Sequence, residues 1–136
     1  LDATFYQAIK GVLSAIEVVK EGGMVILVAE CQEGIGSGPF TDLILKTKNL
    51  EQFVRNTYNP KNFVIDQWQL EELAKAIRKA NVYFYSDKIP YEQQQKLFVN
   101  PLKSPNEGVE IALKKYGKDT KIVAIPDGPY TLAQVK

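Results

Sequence analysis

The stretch Gly22–Pro39, GGMVILVAECQEGIGSGP, decides the fold of this chain. Its apolar run Met24–Ala29 is short, does not alternate and follows two glycines, which is typical of a strand buried on both faces of a parallel sheet. The glycines after the run let the backbone approach a neighbour or a ligand closely, and Pro39 suits the first position of a helix. A strand, a glycine loop and a helix in this order predict a ligand site at the carboxyl edge of the sheet.

Two further apolar runs, residues 82–85 and 121–125, are predicted to be strands, and helical patterns separate the three runs. The first helix is predicted over about 4–20, and Asp66 is predicted to cap a later helix with its side chain. This order predicts one α/β domain over residues 1–136. We expect a Rossmann-like, three-layer fold with a mainly parallel sheet (strands near 24–29, 82–85 and 121–125) and helices on both faces.

Composition excludes several classes of function. The formal charge is +1, so there is no electrostatic basis for binding nucleic acid or an anionic membrane. The sequence has no apolar run near the roughly 20 residues that cross a bilayer, and no signal peptide is visible. The one cysteine excludes an internal disulfide and suits a reducing compartment, so a cytoplasmic location is predicted.

The sequence contains no histidine, the side chain best suited to proton transfer near neutral pH. It also begins at Leu1, without methionine, and helix-like sequence follows almost at once. We interpret the chain as a piece of a longer protein. A site that needs histidine would then take it from the missing part.

The glycine loop is the first candidate site. Gly34, Gly36 and Ser37 could hold an anion or a cofactor phosphate against backbone N–H groups at the start of the following helix. The alternative is a tight turn that lets the strand and the helix pack. Because the spacing is not GxGxxG, the residues alone favour the turn.

A second candidate is the pair Gln7 and Lys10, which lie three apart and so share a helix face. Lys10 offers a compact positive charge, and Gln7 offers both a donor and an acceptor. Together they could bind a small carboxylate. The alternative is a solvated polar stripe, which the residues alone favour.

Trp68 and Cys31 each leave two interpretations. Trp68 lies nearly opposite the apolar stripe of its helix. Its ring could therefore form a surface that a planar ligand covers, or it could pack against the loop near 58–63 or against a missing domain. Cys31 follows the first predicted strand and could be a nucleophile or a soft metal ligand. With no histidine and no second cysteine, a small buried residue is favoured.

Three blocks of sequence, Leu1–Gly11, Val18–Gly23 and Ala29–Gly36, closely resemble the C-terminal domain of the nickel-dependent lactate racemase family. The first block, with its D-x-x-x-Y-Q-x-x-K-G spacing, is the most specific of the three. Trp68 also falls where that family carries a tryptophan. The resemblance covers essentially the whole chain.

The resemblance implies an enzyme that racemises or epimerises a 2-hydroxy acid by abstracting hydride at C2 and returning it to either face. It implies a nickel-pincer nucleotide tethered to a lysine, with paired histidines as acid and base. The tethering lysine, the nickel ligand and the histidines would all lie in the N-terminal domain. No catalytic or metal-binding residue, and no bound cofactor, is therefore expected in this chain alone.

The resemblance also implies what this domain does. It would close over its own N-terminal domain, with Gln7 and Lys10 binding the small 2-hydroxy acid and Tyr6 and Trp68 lining the cleft. Two alternatives stay open, a non-catalytic Rossmann-like module that binds a nucleotide or anion at the Gly34 loop, and a dimerisation domain. The sequence predicts neither the particular hydroxy acid nor the oligomeric state.

Overall fold

The sheet has three parallel strands within residues 2–135, the part of the chain that the computed structural model describes. Their order is β1 (Met24–Val28), β2 (Asn81–Tyr85) and β3 (Asn100–Pro101), and they pair in sequence order. Val25 is opposite Val82 and Leu27 is opposite Phe84. The α/β class and the parallel sheet are therefore confirmed.

Six α-helices surround this sheet in the described part of the chain. They are α1 (Phe5–Ile16), α2 (Gly38–Lys46), α3 (Leu50–Thr57), α4 (Gln67–Lys79), α5 (Tyr91–Gln94) and α6 (Pro105–Tyr116). Short 3-10 turns lie at Pro60–Asn62 and Gly128–Tyr130. No helix within residues 2–135 is both long enough and apolar enough to cross a membrane.

The main core lies between the sheet and the helices α1 and α4. The Phe5 and Phe84 rings are 4.9 Å apart, and both side chains are fully buried. Ile26 points to the opposite face, because neighbouring residues of a strand alternate. There α6 approaches so closely that a Cβ on Gly108 would lie 3.0 Å from Ile26 Cδ1. This packing fixes the end of β1, from which the glycine loop departs.

The predicted strand at 121–125 is wrong. That segment is irregular, and Ile122 and Val123 are 52% and 75% exposed. The third strand is Asn100–Pro101 instead. Proline lacks the N–H that a central strand must donate, so a two-residue strand containing it fits only at a sheet edge and has no apolar pattern to reveal it.

The first helix is also shorter than predicted. It ends at Ile16 rather than near Lys20, and residues 17–19 form a turn before β1. Its start agrees with the prediction, since the Thr4 side chain accepts a hydrogen bond from the backbone N–H of Gln7. The N-terminal turn of α1, which carries the candidate site residues, is thus capped.

Candidate functional site

The glycine loop binds the first turn of α1 through its backbone. The carbonyl oxygens of Gly34 and Ile35 accept hydrogen bonds from the N–H groups of Phe5 and Tyr6, at 3.0 and 2.9 Å. The first N–H groups of a helix have no partner within the helix. The loop therefore satisfies two of these donors and fixes the position of Tyr6.

Gly36 allows the loop to come this close. A Cβ at this position would lie 3.0 Å from both Tyr6 Cβ and Phe40 Cδ1. The Tyr6 ring contacts the Phe40 ring edge-on, with centroids 4.9 Å apart. Any larger residue at Gly36 would have to displace one of these rings.

The Lys10 ammonium lies beside two aromatic rings that contact each other. Its Nζ atom is 5.7 Å from the centroid of the Tyr6 ring and 5.9 Å from that of Trp68, within the range of cation–π attraction. Lys10 also donates a 2.7 Å hydrogen bond to Gln7 Oε1. The structure thus brings together the four residues Tyr6, Gln7, Lys10 and Trp68, which the sequence singled out as a substrate-binding pair and two cleft-lining rings.

Trp68 reaches this cluster from the first turn of α4. Its ring meets the Tyr6 ring nearly perpendicularly, with centroids 5.9 Å apart. The residue is 47% exposed, so one part of the indole packs against the site and the other part is accessible. An aromatic residue placed this way can cover a ligand beside Lys10.

Asp66 performs a different task from the predicted one. It adopts the left-handed backbone conformation (φ 67°, ψ 5°), and its side chain makes no capping bond to α4. Its two carboxylate oxygens instead accept hydrogen bonds from Ser37 Oγ at 2.9 Å and from the Tyr6 hydroxyl at 3.4 Å. The predicted cap is therefore wrong, because the carboxylate points back to α1 and the glycine loop.

A cleft of about 480 Å³ lies at this junction. Its walls come from the N-terminal turn of α1, the glycine loop and the start of α4. The lining residues are Ala3, Thr4, Tyr6, Gln7, Glu33, Ser37 and Asp66. The cleft is thus built at the carboxyl side of β1, where the order of strand, loop and helix predicts a ligand site.

The hydrogen bonds of the glycine loop are those expected of a tight turn that packs a strand against a helix. Ser37 caps α2 by accepting from the Phe40 N–H at 3.3 Å, and it donates to Asp66 at the same time. A carboxylate from the chain itself therefore stands near the N-terminus of α2, where negative charge is stabilised. The role of Gly34, Gly36 and Ser37 as an anion or cofactor loop stays a prediction.

The phenol of Tyr6 is held in its protonated form. Burial raises its pKa, and the nearby Asp66 carboxylate raises the pKa further. The hydroxyl therefore keeps its proton near neutral pH and can act as a donor to Asp66.

Cys31 is a buried, unreactive thiol. It is fully inaccessible, and burial raises its pKa from 9.0 to about 11, so almost none of it is thiolate near neutral pH. Across residues 2–135, no three His, Cys, Asp or Glu side chains are grouped so as to hold a metal ion. The described residues therefore do not supply a cluster of ligands that fits nickel.

A family model for the lactate racemase C-terminal domain matches residues 1–132. The chain belongs to this family. The lactate racemase of Thermoanaerobacterium thermosaccharolyticum is 29% identical over 138 aligned residues, which cover 100% of this chain and 32% of that protein. The lactate racemase of Lactiplantibacillus plantarum is also 29% identical, over 94% of this chain and 31% of that protein.

The fold agrees with a solved relative. The structure of the lactate racemase apoprotein from Thermoanaerobacterium thermosaccharolyticum superposes with a TM-score of 0.80 at 30% sequence identity. The match covers 94% of this chain and 31% of that chain. The chain thus spans about a third of the length of the relatives it matches.

Proposed function

We propose that this chain is the C-terminal domain of a two-domain racemase or epimerase that acts on a 2-hydroxy acid. Its task is to bind the substrate and to close the cleft over chemistry housed in a preceding N-terminal domain. The observation that carries the proposal is that the Lys10 ammonium is bound by the Gln7 amide and lies beside the contacting rings of Tyr6 and Trp68. Membership of the lactate racemase C-terminal domain family supports it.

Lys10 supplies the charge that a 2-hydroxy acid requires. The carboxylate of such a substrate is an anion at neutral pH, and an ammonium group is a compact positive charge with three donors. Gln7 fixes this ammonium through its Oε1 atom, and its amide nitrogen offers further donors. A pair held in this way can bind the carboxylate and polarise the neighbouring hydroxyl.

Lys10 and Gln7 also stabilise the transition state more than they stabilise the bound substrate. Loss of hydride from C2, together with loss of the hydroxyl proton to a base of the N-terminal domain, would turn the alcohol carbon into a carbonyl and leave partial negative charge on its oxygen. Positioned donors that face this oxygen stabilise the charge as it develops. Lys10 and Gln7 therefore contribute to the rate as well as to affinity.

Tyr6 and Trp68 form apolar walls beside the Lys10 ammonium. The two rings contact each other and lie on one side of Nζ, so an acid bound to Lys10 loses contact with water on the side that the rings cover. Electrostatic interactions are stronger in such a dry site. The walls thereby increase the effect of the single ammonium.

The hydride chemistry belongs to the rest of the protein in this proposal. A nickel-pincer nucleotide bound by the N-terminal domain would accept the hydride, and histidines of that domain would move the proton. This chain contains no histidine, and its described residues do not form a metal site. Its own contribution is limited to substrate binding and exclusion of water.

A chimera tests the proposal. The chain replaces the matching C-terminal third of the Thermoanaerobacterium thermosaccharolyticum lactate racemase, the cofactor is loaded, and racemisation of a panel of 2-hydroxy acids is measured. We expect racemisation of at least one acid, and we expect Lys10→Ala to abolish most of it. A folded, cofactor-loaded chimera that racemises none of them contradicts the proposal.

The alternative of a nucleotide- or anion-binding module has less support. The Asp66 carboxylate already lies beside Ser37, where a phosphate at the start of α2 would have to sit. Like charges at that distance repel. Calorimetry with nucleotides and inorganic phosphate separates the two proposals, because tight binding that Gly36→Ala abolishes would favour the alternative.

A further inference from the structure

Asp66 has an unusual backbone for a residue with a side chain. Its φ of 67° and ψ of 5° lie in the left-handed region, which costs roughly 1 kcal/mol or more for most residues, although aspartate tolerates it better than most. Such a conformation persists only where the surroundings hold it in place. The contacts of Asp66 are therefore expected to hold the start of α4.

Two donors from two other parts of the fold supply these contacts. Ser37 comes from the glycine loop and donates to Oδ2, and Tyr6 comes from α1 and donates to Oδ1. The Ser37 bond to the carboxylate has an ordinary length of 2.9 Å, whereas the Tyr6 hydroxyl lies 3.4 Å away and makes the weaker of the two contacts. One side chain thus joins three segments that are distant in the sequence.

These bonds act directly next to the aromatic cluster. Trp68 lies two residues after Asp66, in the first turn of α4, and its ring contacts the Tyr6 ring. Asp66 therefore binds the Tyr6 hydroxyl and belongs to the same helix start that carries Trp68. The Asp66 side chain does not cap α4, and Gln67 Oε1 accepts from the Val64 N–H at 2.8 Å at this helix start. The two carboxylate bonds add the connection to α1 and to the glycine loop.

We propose that Asp66 is a positioning residue whose carboxylate, bound to Ser37 and Tyr6, holds the Trp68 indole against Lys10. The placement of the Trp68 ring follows from the structure of this chain alone, whereas its importance for turnover rests on the proposed racemase function. Fluorescence quenching tests the placement, and kinetics of the chimera test the importance for turnover.

The chain carries one tryptophan, so its fluorescence reports on Trp68 alone. Asp66→Gly removes the carboxylate but suits the left-handed backbone, and Asp66→Asn keeps both the backbone preference and an acceptor oxygen. Ser37→Gly removes one donor while glycine still serves as a helix N-cap. Asp42→Asn, which changes an exposed carboxylate on α2, is the matched control.

Acrylamide quenching of each variant measures the exposure of the indole. Because Trp68 is already 47% exposed, release of the ring should raise the quenching constant only moderately. We expect Asp66→Gly to raise it most, Ser37→Gly and Asp66→Asn to raise it less, since each loses part of the pair of bonds, and Asp42→Asn to stay near the parent value. Circular dichroism identifies the variants that have kept the fold.

The proposal is overturned if folded Asp66→Gly and Ser37→Gly quench like the parent chain, or if Asp42→Asn changes quenching as much as they do. In an active chimera, Asp66→Gly should lower kcat/KM by roughly tenfold or more at unchanged cofactor content, and Asp66→Asn, which keeps one acceptor oxygen, should restore part of the loss. If quenching changes as expected but no chimera racemises any acid, the positioning role stands and the proposed function fails.

Discussion

The Nζ atom of Lys10 on α1 lies 5.9 Å from the centroid of the Trp68 ring on α4. The two helices approach each other here because both pack their apolar faces on the same side of the sheet, through residues such as Phe5 and Leu70. An ammonium at this distance from an aromatic face is attracted to it. The site is thus a consequence of how the core brings the polar ends of two helices together.

Removal of the indole should open the cleft. In the active chimera we expect Trp68→Ala to lower kcat/KM by roughly tenfold to a hundredfold, because water then reaches the ammonium and the substrate. Trp68→Phe should retain most of the activity, since it keeps an aromatic wall beside Lys10. Steady-state kinetics on both variants measures the difference, and equal losses for Ala and Phe would argue against a wall.

Gly36 should tolerate no side chain. Gly36→Ala places a methyl group 3.0 Å from Tyr6 Cβ and from Phe40 Cδ1, so we expect it to lower the free energy of unfolding by about 1–3 kcal/mol. Gly38→Ala is the matched control, because a Cβ at Gly38 meets nothing within 4 Å. Urea denaturation of the two variants checks this, and an equal effect of both would contradict the close approach of loop and helix.

Replacement of Gln69 by an apolar residue should stabilise the fold. Gln69 is fully buried, and within residues 2–135 neither its Nε2 nor its Oε1 atom has a hydrogen-bond partner. A buried amide without partners costs about 1–3 kcal/mol. We therefore expect Gln69→Met to raise the free energy of unfolding.

Gln94 provides the contrast for this prediction. It is also buried, and its Oε1 atom has no partner within residues 2–135, but its Nε2 donates to the carbonyl oxygens of Ser86 and Ile89 at 2.8 and 2.7 Å. Gln94→Met should therefore lower the free energy of unfolding, because it leaves both acceptors without that donor. Chemical denaturation of both variants checks the opposite signs, and destabilisation by both changes would refute the account of Gln69.

Cys31 should make stability depend on pH in the alkaline range. Burial raises its pKa from 9.0 to about 11 in the folded chain, so as pH rises the unfolded state loses this proton first. The contribution of the neutral thiol to stability is then complete below pH 9 and declines between pH 9 and about 11.

The Cys31→Ala variant separates the effect of this thiol from that of the lysines and tyrosines, which titrate in the same pH range. We expect the difference in unfolding free energy between the parent chain and the variant to shift in favour of alanine from pH 8 to pH 11. Urea denaturation at several pH values measures it. A difference that stays constant over this range would contradict a buried, neutral thiol.

Much of the fold could be predicted from local patterns. The apolar run at 24–29 and the glycine-rich turn after it identified β1 and its loop, because both features are local and strong. The edge strand Asn100–Pro101 could not be found in this way. Two residues carry no periodicity, and their pairing with Tyr83 and Phe84 is a long-range contact.

The candidate site likewise has residues that could be predicted from the sequence and one whose role could not. The spacing of Gln7 and Lys10 placed them on one helix face, and the position of Trp68 opposite its apolar stripe singled it out. The resemblance to the family added Tyr6 and implied the binding role of Gln7 and Lys10. The role of Asp66 was missed, because an aspartate before a helix is ordinarily its cap. Only the left-handed backbone, which depends on the packing of α4 against α1 and the loop, turns its carboxylate away from the helix.

A comparison of two lysine variants in the cofactor-loaded chimera tests whether the Lys10 ammonium binds the substrate. Lys10→Ala removes the ammonium beside the Tyr6 and Trp68 rings, and Lys46→Ala removes an exposed ammonium paired with Asp42 on α2. We predict that Lys10→Ala lowers kcat/KM for the favoured 2-hydroxy acid by roughly a hundredfold or more, while Lys46→Ala leaves it unchanged. Equal activity of the two variants would contradict the account.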